Sequence, residues 1–101
     1  MAITFDQAIK LNRANALKAM EKATLLVEAD AKLNCPVDSG TLKRSITHDV
    51  IEEKDNIIGV VGTPVEYAFF AEKHQPYLEP AIDQNRQRIK SIFAEELKRE
   101  K

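Results

Sequence analysis

The spacing of apolar residues changes twice along the chain, and each change marks a change of element. From Phe5 to about Leu33, the apolar residues Ile9, Ala16, Met20, Ala23, Val27 and Ala31 recur at three-, four- or seven-residue steps. Such steps line up one stripe of a helix, with Lys10, Arg13, Lys18 and Lys22 mostly away from it. The run holds neither Gly nor Pro, and Thr4 with Gln7 has the spacing of a capping box. It therefore predicts one long N-terminal helix, about 40 Å in length at 1.5 Å per residue. A rod of that length exceeds what so small a globule needs. It is either kinked or packed in part on something outside the chain.

The stretch "CPVDSGTLKRSI", Cys35 to Ile46, ends that pattern. Pro36 lacks a backbone donor and disfavours helix at Cys35, and Asp38, Ser39 and Gly40 bring turn chemistry. From Leu42 the period becomes two: Leu42, Arg44, Ile46, His48 and Val50 share one face, and Lys43, Ser45, Thr47 and Asp49 the other. "EEKDN", Glu52 to Asn56, has the polarity of a hairpin turn, and "NIIGVVGT" reads as the returning strand. Gly59 and Gly62 within it mark a bulge or a close approach by another backbone. "PVEYAFFAEKH" reads as a strand giving way to a helical turn from Tyr67 to Lys73. "QPYLEP" is extended, because each proline pushes its predecessor away from helix. Pro80 opens a last helix on which Ile82, Ile89, Phe93 and Leu97 form the apolar stripe, with Lys98, Arg99 and Lys101 at its negative end. The expected fold is a single α+β domain over residues 1–101: a long N-terminal helix, an antiparallel β-hairpin or small sheet, and a C-terminal helix packed on that sheet.

Composition adds a constraint. The chain has 101 residues, 44% apolar and 31% charged, with few aromatics and no Trp. A domain of this size buries only roughly 60–65% of its unfolded surface, so its core is thin and aliphatic, of a kind that often leans on a partner subunit. The formal net charge of −1 lacks the basic excess of a dedicated nucleic-acid binder. One Cys forms no intramolecular disulfide. "MAITFDQAIK" lacks the pattern of a signal peptide, and no apolar run approaches the roughly 20 residues of a membrane span. The expected place of folding is a cytosol.

Chemistry finds little footing. Cys35, His48 and His74 show no spacing that brings a nucleophile to a base or gathers zinc ligands. A helix C-terminus at Cys35 would raise its thiol pKa, away from reactivity. Glu52/Glu53 and Glu95/Glu96 are sequence neighbours that share no face, and the glycines at 40, 59 and 62 make no phosphate loop. The expectation is a protein that is not an enzyme, with no cofactor and no metal. Two charge concentrations remain. Asp49, Glu52, Glu53 and Asp55 make the hairpin tip acidic, and Arg86, Arg88 and Lys90 make the early C-terminal helix basic. The plain reading is two solvated surfaces; the sharper one is an acidic tip meeting the basic helix of a neighbouring copy, the unlike pairing that a ring requires. A competing reading is a small nucleic-acid-binding or antitoxin-like regulator that uses the basic helix, with binding that weakens steeply in salt.

Three motifs in order carry a resemblance. Pro36, Val37, Asp38, Ser39, Gly40, Leu42, Ser45 and Ile46 form the first, Tyr67, Ala68 and Glu72 the second, and Pro76, Leu78, Pro80 and Ala81, with Tyr77 as the aromatic, the third. Together they resemble the tailed-bacteriophage tail-component family of head–tail joining and tail-completion proteins. Two departures stand out: Ala71 replaces an aliphatic residue, and "EKHQPY" is shorter than the loop common there and lacks its glycine. The resemblance implies a structural protein of the virion neck or tail, assembled in the bacterial host cytoplasm. It also implies a homo-oligomeric ring, contacts with phage neck and tail proteins, and DNA passing through without sequence-specific contact. On this reading the first motif is an architectural turn, with Asp38 and Gly40 building its corner. Candidate subunit-interface residues are Asp49, Glu52, Glu53, Asp55, Tyr67, Glu72, Tyr77, Arg86, Arg88 and Lys90.

Overall fold

The N-terminus departs from the expected helix: Ala2–Ala8 is a strand, β1. A computed structural model describes residues 1–8, 13–35, 40–64, 68, 72–73 and 75–98. In β1, Ile3, Phe5 and Gln7 alternate with the exposed Ala2, Thr4 and Asp6, a period-two pattern centred on β-formers. The capping-box spacing of Thr4 and Gln7 is coincidental. Helix α1 follows at Arg13–Asn34, about 33 Å long. The whole molecule measures 46 × 23 × 18 Å, so the helix fits within its own chain and its length requires no external support.

Strands β2 (Thr47–Glu52) and β3 (Asn56–Gly62) form the expected hairpin. The sheet has three strands in the order β1-β3-β2, antiparallel throughout, with Ala2 opposite Gly62 and Thr47 opposite the same glycine. The first motif is the second correction. Gly40–Ser45 is a short helix, α2, and not the start of a strand. Leu42 and Ile46 are nevertheless both fully buried. A four-residue step returns to the same face in a helix turn and in a strand alike, so spacing could not separate the two. The third correction is at the C-terminus, where the expected single helix is two: α3 (Glu79–Asp83) and α4 (Arg86–Leu97). Between them the buried Asn85 donates from Nδ2 to the Ala81 carbonyl (2.7 Å) and to Asp30 of α1 (2.5 Å).

Helix α1 lies across β2 and β3 on the inner face of the sheet, with α3 and α4 beside it. The expected stripe of α1 is the buried one: Ala16, Met20, Ala23, Val27 and Ala31. Ile9 lies outside the described residues. Its small side chains let the helix come close, and Gly59 of β3 receives it. A Cβ at Gly59 would stand 2.4 Å from Thr24 Cγ2 and 2.8 Å from Met20 Sδ. The atoms that approach Gly59 are side chains and not the other backbone expected; that backbone approach is at Gly62, where a Cβ would stand 2.5 Å from the Met1 carbonyl oxygen. Thr24 is itself fully buried, and its hydroxyl donates back to the Met20 carbonyl at 2.8 Å. Helix α4 reaches the sheet through Phe93 and Ile89, which join Met20, Ile57 and Phe5 in one apolar cluster. Replacing Gly59 by Ala is expected to destabilise the protein by about 1–3 kcal/mol through overpacking. A lower urea midpoint at unchanged slope is the measurement that checks it.

Candidate functional site

The first motif lies well before the other two in sequence, yet the described residues of all three meet in one place. Cys35, Leu42 and Ile46 pack with Ala68 and with Tyr77, Leu78, Ala81 and Ile82, against Val27 and Ala31 of α1 and Val61 of β3. All are buried, and Tyr77 is the largest of the fully buried side chains. The polar heart of this junction is the Glu72 carboxylate. Its Oε1 accepts the backbone N–H groups of Tyr77 (3.0 Å) and Leu78 (2.9 Å), and its Oε2 accepts that of Glu79 (3.2 Å). Leu78, at the start of α3, offers no capping side chain, and Pro80 has no N–H. Glu72 thus satisfies donors that the short helix leaves open. Tyr77 returns the link by donating its hydroxyl to the Ala68 carbonyl at 3.4 Å.

This placement revises part of the interface reading. Tyr77 and Glu72 are buried within the protomer and bind its own backbone, so their side chains offer no surface to a neighbour. Tyr67 lies outside the described residues, as do Pro36, Val37, Asp38 and Ser39, including the proposed Asp38 corner. Gly40 begins α2. Ser45 donates to the Leu42 carbonyl at 2.7 Å and pairs with the Thr63 hydroxyl, which fastens α2 to the end of β3.

The charged candidates remain at the surface. Arg13 grips the hairpin tip, donating to Glu52 Oε2 (3.1 Å) and to the carbonyls of Glu53 (3.3 Å) and Lys54 (2.7 Å). Asp49 and Asp55 are exposed, as are Arg88 and Lys90 on α4, and Arg86 pairs with Asp83 at 2.9 Å. Sequence spacing gave no hint of two further ion pairs, because helix α1 supplies one partner of each. Lys22 meets the buried Glu96 of α4. His48 of β2 binds Glu28 through Nδ1 and approaches Glu21 at 3.4 Å through Nε2, while Lys32 holds the other Glu28 oxygen at 2.8 Å. The Glu28 hydrogen bond raises the His48 pKa against the opposing pull of burial, and Glu21 adds to the rise. Burial alone would push the Glu28 carboxyl up, but Lys32 and His48 outweigh it and hold it below its ordinary range. Cys35 is buried, and burial raises its thiol pKa despite nearby Lys43. The direction is the expected one, with burial and not the helix end as its cause. Among the described residues, no group of three or more His, Cys, Asp or Glu could hold a metal ion, and no helix is long and apolar enough to cross a membrane.

Residues 5–73 match the family described as "Bacteriophage HK97-gp10, putative tail-component". The chain belongs to this family. No curated protein and no solved structure matches it. The HK97-gp10-like match takes in the first two motifs and ends one residue after Glu72. The third motif follows it and supplies the backbone that Glu72 binds. As an HK97-gp10-like chain, the protein has a structural role as a component of the phage tail.

Glu72→Ala is expected to cost about 1–3 kcal/mol, since it strands buried donors. Glu72→Gln, with one carbonyl oxygen in place of two, should cost less; chemical denaturation of both variants checks the order. The ion pair at His48 makes a pH prediction. A raised histidine pKa contributes stability that is fully present below about 6.5 and is lost as pH rises through the raised value. A lowered Glu28 pKa contributes stability present above 4.5 and lost as pH falls through the lowered value. Thermal melts across pH 4–9 should therefore show a decline above about pH 6.5 that His48→Gln lacks.

Proposed function

We propose that this tail component is a ring-forming subunit of the head–tail junction, working in tail completion or as a neck protein. It acts through assembly and not catalysis. The observation that carries the reading is the use made of the motif residues. Leu42, Ile46, Ala68, Glu72, Tyr77 and Leu78 are all buried in mutual packing and backbone capping, which is what a rigid building block needs. Leu25, Leu33 and Ile51 remain 56%, 77% and 45% exposed, apolar surface of the kind that contacts between subunits cover. The near-neutral charge suits a lumen through which DNA slides without being gripped. Its partners on this reading are further copies and the phage proteins above and below it.

Deleting its gene from the phage or prophage tests the proposal. The expected outcome is filled heads and tails that fail to join, or tails left incomplete, in negative-stain images. Antibody labelling of intact particles should then mark the neck. Infective particles of normal form without the protein would overturn the reading.

A further inference from the structure

Strand β3 is paired on both sides, and the two outer edges of the sheet differ in charge. Met1 and Thr63 exchange both backbone bonds, at 2.9 and 2.8 Å. Antiparallel alternation then turns the backbone groups of Ala2, Thr4 and Asp6 away from β3. No described residue pairs with that edge, and β1 carries neither Pro nor Lys to guard it. Beside it runs a groove of about 320 Å³, with Phe5, Ile82 and Ile89 in its lining and Arg86 and Lys90 of α4 contributing cationic groups; Asp6 is its one acid.

The opposite edge is acidic. The Glu53–Asn56 backbone bond fixes the alternation on β2, so the backbone groups of His48, Val50 and Glu52 point away from β3. Asp49, Glu52, Glu53 and Asp55 crowd this edge and its turn, with Glu21 of α1 reaching His48 alongside. Arg13 and Lys54 answer only part of that charge. One outward N–H, that of Val50, is held by the exposed Asp49 carboxylate at 2.8 Å, a single bond that a neighbour can replace.

We propose that the β1 edge and the Arg86–Lys90 groove of one copy receive the acidic β2 edge and hairpin tip of the next. The contact rests on the ring reading above and names the surface that would build the ring. Strands β1 and β2 both run antiparallel to β3, so they are parallel to each other. The same operation repeated from copy to copy therefore extends the sheet with a parallel β1–β2 joint. It keeps helices beside helices and sets basic groove against acidic tip at every junction. A twofold β1–β1 joint would be antiparallel but would bring Arg86 and Lys90 towards their own like charges. Charge complementarity thus selects the head-to-tail arrangement, the kind that closes into rings.

Charge reversal in the full chain tests the contact by light scattering. One variant carries Arg86→Glu with Lys90→Glu, and the other carries Glu53→Lys with Asp55→Lys. All four side chains are exposed, and circular dichroism confirms that each variant is folded. Each variant alone should associate at least about tenfold more weakly than the wild type. An equimolar mixture should recover assembly, because each then offers the other an opposite edge. Thr4→Pro should also weaken assembly, since the Thr4 N–H points outward and not to β3. If either reversed variant assembles like the wild type, or the mixture shows no recovery, the contact is overturned while oligomerisation itself stands. A wild-type chain that stays monomeric at every concentration overturns the contact as self-assembly and leaves the gene-deletion test of the tail role unaffected.

Discussion

A central strand cannot leave either row of its backbone groups unpaired once a helix covers it. Strand β3 is that strand here, and its demand for partners on both sides organises the molecule. The hairpin supplies β2 on one side at short sequence distance. The other side is met only by the N-terminus, far away in sequence, through a ladder from Ala2–Gly62 to Ala8–Asn56. This long-range pairing overrides a segment whose local pattern also permits helix. Gly59 then lets α1 settle on the centre of the strand, where Met20 and Thr24 occupy the space a side chain would take. Sheet pairing and helix packing thus depend on the same seven residues.

Polar groups inside this thin core are few and well used. Glu72 accepts three backbone donors, and Asn85 ties the α3–α4 break to both Ala81 and Asp30. A buried polar group that lost such partners would cost more than an average hydrogen bond contributes. This makes the two residues specifiers of one arrangement of the C-terminal segments. Their apolar neighbours Tyr77, Leu78, Ala81 and Ile82 supply the burial that holds the arrangement together. The described residues of the three sequence motifs join α2, Ala68, Glu72 and α3 into one corner.

The surface divides differently from the core. The acidic groups gather around the β2–β3 turn, and the basic ones lie on α4 beside β1. For a single protomer, neither grouping contributes much to stability, since exposed ion pairs are worth little. On the proposed contact between copies, their separation onto opposite edges of one sheet would select partner and direction. The geometry of the sheet converts what would be two scattered charge clusters into a polarity of the building block.

Periodicity alone determined the core face of α1, the β2–β3 hairpin with its turn, and the burial of Leu42 and Ile46. Each of these follows from side-chain pattern over a short window. Motif order alone also pointed to the phage tail family. The tertiary structure decided what pattern left ambiguous. Ala2–Ala8 became a strand because β3 needed a second partner. The Leu42–Ile46 step is a helix turn, a choice that four-residue spacing cannot make. The last helix divides at Asn85, whose partner Asp30 lies 55 residues away. Glu72 and Tyr77 went to the interior, where their hydrogen-bond partners are, though charge and motif position had placed them among the interface candidates. The common reason is that a residue's local pattern records which face is apolar, whereas the partner of a backbone edge or a buried carboxylate is fixed only when distant segments meet.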